Sequence, residues 1–160
     1  MKAVTPGLFD RLLDVPLRLG AAGSRAALED LKDAVARDLE ALLNTRSAIP
    51  DALLDKYPEC RNSILSYGLG DFAGLSLSSP DDRAHICRCL EEAIGRHEPR
   101  LRNVKAMLEV GGVEVNRLNF SIKALLVVST SQETVNFDAV LQPSSLRYSI
   151  NKTAPAATRS

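Results

Sequence analysis

Between Ser24 and Asn44, Leu28, Leu31, Val35, Leu39 and Leu42 recur at three- and four-residue steps. That spacing lays one apolar stripe along a helix, while Arg25, Glu29, Asp33, Arg37 and Glu40 fall off it. Ser24 suits the N-cap and Asn44 the C-terminal end. A second helix is predicted from Ser79 to about His97. Ser79 caps it, Pro80 takes the first helical position, and Asp81 and Asp82 face the positive end of the dipole. Ile86, Cys87, Leu90, Ala93, Ile94 and His97 share its apolar face, and Pro99 ends it by disfavouring helical geometry at Glu98. Between the two helices, Ala52-Leu53-Leu54 predicts a turn of helix and Tyr57 is held extended by Pro58. Pro58 opens a short helix through Ser63 to Ser66, which Gly68 stops in a left-handed conformation. The following glycine loop, Gly68 to Gly74, has no strand–loop–helix setting and no Gly-Lys-Ser/Thr, so it does not read as a phosphate cradle.

After Leu101 the period falls to two. Val104, Ala106, Leu108 and Val110 alternate with Lys105, Met107 and Glu109 ahead of a Gly111-Gly112 turn. Leu118, Phe120, Ile122 and Ala124 alternate with Asn119, Ser121 and Lys123, and Leu125 to Val128 form an apolar run suited to a sheet buried on both faces. Val135, Phe137, Ala139 and Leu141 predict a third strand ended by Pro143, and Leu146 to Ile150 a short fourth. Helices first and strands afterwards give an α+β fold. Its N-terminal helices pack on one face of a small, largely antiparallel C-terminal sheet. The expected organisation is an N-terminal arm over 1–23, one domain over 24–151 and a frayed tail over 152–160. The arm carries one apolar cluster, Leu8-Phe9-Asp10-Arg11-Leu12-Leu13, too short to fold alone.

Composition narrows the function classes. The 160 residues carry 20 Lys+Arg and 20 Asp+Glu, which argues against a nucleic-acid or anionic-membrane surface. The chain has no Trp, three Tyr and four Phe, too few aromatics for a glycan cleft or a base-stacking platform. The zero is a sum of unequal parts: 24–100 is mildly acidic and 101–160 mildly basic. Cys60, Cys87 and Cys89 make an odd count, and the N-terminus lacks an apolar signal core. No stretch has the length of a membrane span. The expected compartment is cytoplasmic.

Candidate chemistry is sparse. His85-x-Cys87-x-Cys89 invites a metal site, but on a helix only His85 and Cys89 share a face, and a closed zinc site needs Cys60 and His97 as well. Buried reduced thiols explain the cysteines more simply, so neither a metal nor a cofactor is expected. No nucleophile elbow accompanies His97. Paired carboxylates for glycoside hydrolysis reduce to Glu98 as general acid with Asp71 as its loop partner, an alternative that makes the chain a lysozyme-like peptidoglycan hydrolase. Glu98-Pro99-Arg100-Leu101, at a helix-to-strand junction, is the most unusual feature. Proline there fixes one anion and one guanidinium in a rigid display suited to protein contact.

Several stretches together resemble one family. They are Leu8-Phe9-Asp10-Arg11-Leu12, Asp38 to Arg46, Ser63 to Leu69, Asp71-Phe72, Glu98-Pro99-Arg100-Leu101 and Val135-Asn136-Phe137-Asp138. In this order, over roughly residues 8–150, they resemble the TssE family of type VI secretion baseplate subunits, relatives of a phage baseplate wedge protein once labelled a tail lysozyme. Gly70, where the family usually has proline, and Ser66, where asparagine is common, depart from the pattern. The resemblance implies a structural and non-catalytic subunit that takes no small-molecule substrate and does not insert in a membrane. It implies partners TssF, TssG and TssK in the baseplate and TssB/TssC in the sheath, with recruitment to the inner face of the cytoplasmic membrane. It places partner contacts on Glu98, Pro99 and Arg100, and the arm's Leu8, Phe9 and Arg11 and the strand's Val135 and Phe137 are expected to join them. Addition of a strand to a sheet edge is the expected physics of sheath contact. A phage-like contractile particle is the alternative setting.

Overall fold

The structure is a computed structural model that describes residues 23–47, 49–72, 74–76, 78–109, 118–128, 131–142, 145 and 147–153. The arm with Leu8, Phe9 and Arg11, the Gly111-Gly112 turn, Pro143, Leu146 and residues 154–160 lie outside these. Helix α1 spans Gly23–Asn44. A four-residue helix α2 spans Asp51–Leu54 and helix α3 spans Pro80–His97. Four strands follow: β1 Leu101–Glu109, β2 Leu118–Val128, β3 Ser131–Gln142 and β4 Arg147–Thr153. They form one antiparallel meander in the order β1-β2-β3-β4. The α+β expectation therefore holds. β1 and β4 are the edges, and α1 lies against β4 while α3 lies against β1.

Helix α1 forms because its leucine stripe has something to bury against. Leu31, Val35, Leu39, Leu42 and Leu43 meet Ile86, Leu90 and Ile94 of α3 over the sheet face made by Phe120, Ile122, Leu126, Phe137 and Ala139. Helix α1 already contains Gly23, so Ser24 lies inside it and not ahead of it. Helix α3 starts as its sequence demands: the Ser79 hydroxyl accepts from the Asp82 amide and Pro80 opens the first turn. The predicted helix from Pro58 is instead two short 3-10 turns, Pro58–Asn62 and Ile64–Ser66, separated at an extended Ser63.

Three strand expectations change. The apolar run in β2 is not buried on both faces: Leu126 is buried, while Leu125, Val127 and Val128 are half-buried. Strand β1 carries a bulge between Arg102 and Lys105, with Asn103 at φ 53°. The extra residue lets Leu101 and Val104, an odd number apart, both face the core. Asparagine tolerates the left-handed conformation better than most side chains. Strand β4 reaches Thr153, two residues into the span expected to fray.

Each sheet edge is covered from its flanking helix by a pair of side chains four residues apart. At β4, the Tyr148 amide donates to Asn44 Oδ1 at 2.8 Å, Asn44 Nδ2 donates to the Tyr148 carbonyl at 2.9 Å, and the Ile150 amide donates to Glu40 Oε2 at 3.0 Å. At β1, the Ala106 amide donates to Glu91 Oε1 at 2.9 Å, and the Leu108 backbone lies beside the Cys87 thiol, where it opposes the upward push of burial on the thiol pKa. Four residues of helix rise about 6 Å and two residues of strand about 6.6 Å, so i and i+4 reach alternate outward amides.

Candidate protein-binding site at the helix-to-sheet junction

The last turn of α3 runs into β1 through a tight turn. The Glu98 amide donates to the Ile94 carbonyl at 2.8 Å, which closes the helix, and the Leu101 amide donates to the Glu98 carbonyl at 3.1 Å, which closes the turn. Pro99 sits at the second position of that turn, where its fixed φ is preorganised. The Arg100 carbonyl accepts from the Val127 amide at 2.8 Å, so the turn is already stitched to β2.

The side chains fold inward. Arg100 Nε donates to Glu98 Oε1 and Arg100 Nη2 to Glu98 Oε2, both at 2.6 Å. The Arg100 amide also donates to Glu98 Oε1 at 3.2 Å. Nη2 reaches further, to Asp38 Oδ2 on α1. Glu98 is 4% exposed. Burial opposes the charge on Arg100, yet its hydrogen bonds and charge pairing with Glu98 and Asp38 outweigh burial and hold the guanidinium above its ordinary range. The display of free charges expected from the sequence is thus an internal brace: one arginine ties the end of α3 to α1. Only Pro99 of the three motif residues is exposed. Arg100 Nη1 is buried with no hydrogen-bond partner.

Three of the stretches that carried the resemblance, Asp38 to Arg46, Ser63 to Leu69 and Glu98 to Leu101, meet in this region. Asp38 begins the Asp38–Arg46 run. At its other end, Arg46 and Leu69 form a parallel bridge, with the Leu69 amide donating to the Thr45 carbonyl and the Ser47 amide to the Leu69 carbonyl, each at 2.9 Å. Gly68 makes that approach possible. Its φ is +116°, and a Cβ there would lie 2.6 Å from the Thr45 carbonyl oxygen. His97 Nε2 lies 3.0 Å from the Ser66 carbonyl and 3.2 Å from its hydroxyl, and its ring meets Tyr67 edge-on at 5.4 Å. Burial lowers the His97 pKa, against the raising effect of the Ser66 carbonyl. Burial raises that of Tyr67, with the charges of Asp38 and Glu98 adding to it.

Beside this brace the chain turns apolar side chains outward. Ile64 is 85% exposed and Leu65 49%, with Leu53 and Tyr57 exposed in the preceding segment. Periodicity missed this patch because a 3-10 turn of three residues is too short to show a period. An isoleucine and a leucine between two serines are the signal that was available.

Val135 and Phe137 require correction. They are 4% and 1% exposed on the core face of β3, an interior strand. They pack the domain and offer no surface to a partner. His85 and Cys89 do share a helix face, 3.6 Å apart, whereas Cys87 turns to Leu108 and His97 to Ser66. Among the described residues no group of three or more His, Cys, Asp or Glu side chains is placed to hold a metal. A cavity of about 560 Å³ lies between α3 and the loop, lined in part by Arg61, Asp71, His85 and Glu92. Glu98 does not line it, and its carboxylate, saturated by a guanidinium and closed to solvent, has no access to a glycosidic oxygen. Among the described residues no helix is long and apolar enough to cross a membrane.

Comparison with known protein families matches residues 29–131 to the family described as baseplate wedge protein gp25. That span runs from the leucine stripe of α1 through the brace to the start of β3. A comparison with curated proteins gives no significant match.

Proposed function

The chain belongs to the baseplate wedge protein gp25 family, structural baseplate proteins of phage-tail-like systems to which TssE of type VI secretion corresponds, and from this premise we propose its place in that machine. It is a non-catalytic subunit of a type VI secretion baseplate that joins the wedge to the contractile sheath and primes sheath assembly. Its partners are TssF, TssG and TssK on the wedge side and TssB/TssC on the sheath side. It works in the cytoplasm, at the inner face of the cytoplasmic membrane. The observation that carries this reading is the braced junction, where Arg100 ties Glu98 to Asp38 of another family-like stretch beside an exposed apolar turn.

The wedge partners meet Pro99, whose turn Glu98 and Arg100 brace from behind, and the adjoining Ile64 and Leu65, whose turn Ser66 ties to His97. The arm's Leu8, Phe9 and Arg11 add to the same contact. An apolar centre beside a rigid turn suits docking on a helical bundle, since buried apolar anchors dominate such interfaces. Co-purification of the full chain with TssF and TssG tests it. The variant Ile64→Ser/Leu65→Ser should stay folded and lose most of its wedge partners. Full retention of both partners contradicts the assignment.

The hydrolase alternative is disfavoured by the inaccessibility of Glu98. Muropeptide release by the purified wild-type chain that vanishes in Glu98→Gln would revive it.

A further inference from the structure

The following rests on the proposed sheath contact, for which addition of a strand to a sheet edge is the expected physics. A free sheet edge invites any extended chain, and proteins protect such edges by covering them. Here the cover on β4 mimics what it excludes. The primary amide of Asn44 gives Tyr148 one donor and one acceptor, the same pair a neighbouring peptide unit would supply, at 2.9 and 2.8 Å. Glu40 takes the next outward amide, Ile150, at 3.0 Å. Helix α1 thereby stands in for a fifth strand along that edge.

The two edges differ in how they can be opened. At β1 the bulge at Asn103 breaks the outward ladder, and the covering Glu91 and Cys87 are partly buried. At β4 the ladder with β3 is regular from Arg147 to Thr153. Glu40 is exposed, and a groove of about 560 Å³ runs between α1 and the edge, floored by Ala36, Ala41 and Ile150.

We propose that β4 is a latched docking edge: Asn44 and Glu40 hold it shut in the free chain and yield it to one extended segment of a protein partner. The incoming backbone replaces the side-chain hydrogen bonds at Tyr148 and Ile150, and by the two-residue alternation reaches the Lys152 amide as well. The side chains it turns toward α1 are small or apolar, to fit Ala36 and Ala41. Arg37 and Arg147 line the same groove, so the Glu40 carboxylate keeps cationic neighbours when it gives up the Ile150 amide. The latch keeps free subunits from pairing edge to edge before their partner arrives.

The test measures capture of purified TssB/TssC sheath subunits by the full chain. Glu40→Ala/Asn44→Ala, which removes the competitor, should bind at least about tenfold more tightly, since it no longer has three hydrogen bonds to give up. Lys152→Pro, which deletes an outward amide, should weaken capture at least about fivefold relative to Lys152→Ala, the control for its lost ion pairs. In the wild-type chain, NMR should show the Asn44 side-chain amide protons slow to exchange when free and fast once sheath subunits bind. This readout stands even where the double variant does not fold. Unchanged capture by the double variant, or Asn44 protons indifferent to binding, overturns the latch while loss in Lys152→Pro still upholds strand addition at β4. Capture indifferent to all these variants overturns both. Self-association of the double variant without tighter sheath capture overturns the choice of occupant in favour of a second copy.

Discussion

Two turns of this chain lie side by side and invert the usual placement of polar and apolar groups. The charged turn, Glu98 to Arg100, folds its carboxylate and guanidinium into the protein and closes them on Asp38. The apolar turn, Ile64 to Ser66, holds two aliphatic side chains out to water. One is held by its own ion pairs and the other is left unfilled. A conspicuous charged motif can therefore be scaffolding, and a modest apolar dipeptide the surface that the scaffolding presents. His97 and Ser66 connect them, so a change in one is felt at the other.

That contrast can be broken from either side. Phe137→Ala, an apolar residue on the buried side, should cost about 3–5 kcal/mol in urea unfolding, the usual range for a buried phenylalanine. Glu98→Ala should cost a comparable about 3–5 kcal/mol, because it leaves Arg100 buried beside a single acid. A loss under about 1 kcal/mol would show that the turn is a surface feature after all. Gly68→Ala, between the two turns, forces a Cβ against the Thr45 carbonyl at a left-handed φ and should cost about 2–3 kcal/mol.

The pH response sharpens the comparison at its connecting histidine. His97 has a folded pKa below its ordinary 6.5, so the unfolded chain binds its proton first. The contribution of a neutral His97 is complete above pH 6.5 and is lost as pH falls through that value toward the lower folded one. Melting temperature should fall more steeply below pH 6.5 in the wild type than in His97→Asn, and equal slopes would remove His97 from the connection. The smallest expected effect on stability is Ile64→Ser/Leu65→Ser, within about 0.5 kcal/mol of wild type. A larger loss would mean that the patch packs against part of the chain itself.

Local chemistry made much of the fold legible. The leucine stripe of α1, the Ser79-Pro80 start of α3, the stop at Gly68 and the strand alternation each rest on residues within one element. What was not legible depends on partners distant in sequence. Asp38 lies 62 residues from Arg100, and nothing in its helix marks it as the third member of the brace. Alternation told which face Val135 and Phe137 occupy, but not that β3 is an interior strand with its apolar face closed by helices. The bulge at Asn103 has no local signature beyond an asparagine that tolerates it. The edge-covering pairs Glu40/Asn44 and Cys87/Glu91 have helical spacing, but ordinary surface pairs share it.

The brace is the central claim, and a double-mutant cycle on Glu98→Ala and Arg100→Ala reads it most directly. Urea unfolding of the four proteins should give a coupling free energy of about 2 kcal/mol or more, because Arg100→Ala leaves Glu98 buried without its guanidinium and Glu98→Ala leaves Arg100 with Asp38 alone. A coupling within about 0.5 kcal/mol of zero would contradict the account and return the Glu98–Arg100 turn to the surface as a display of independent charges.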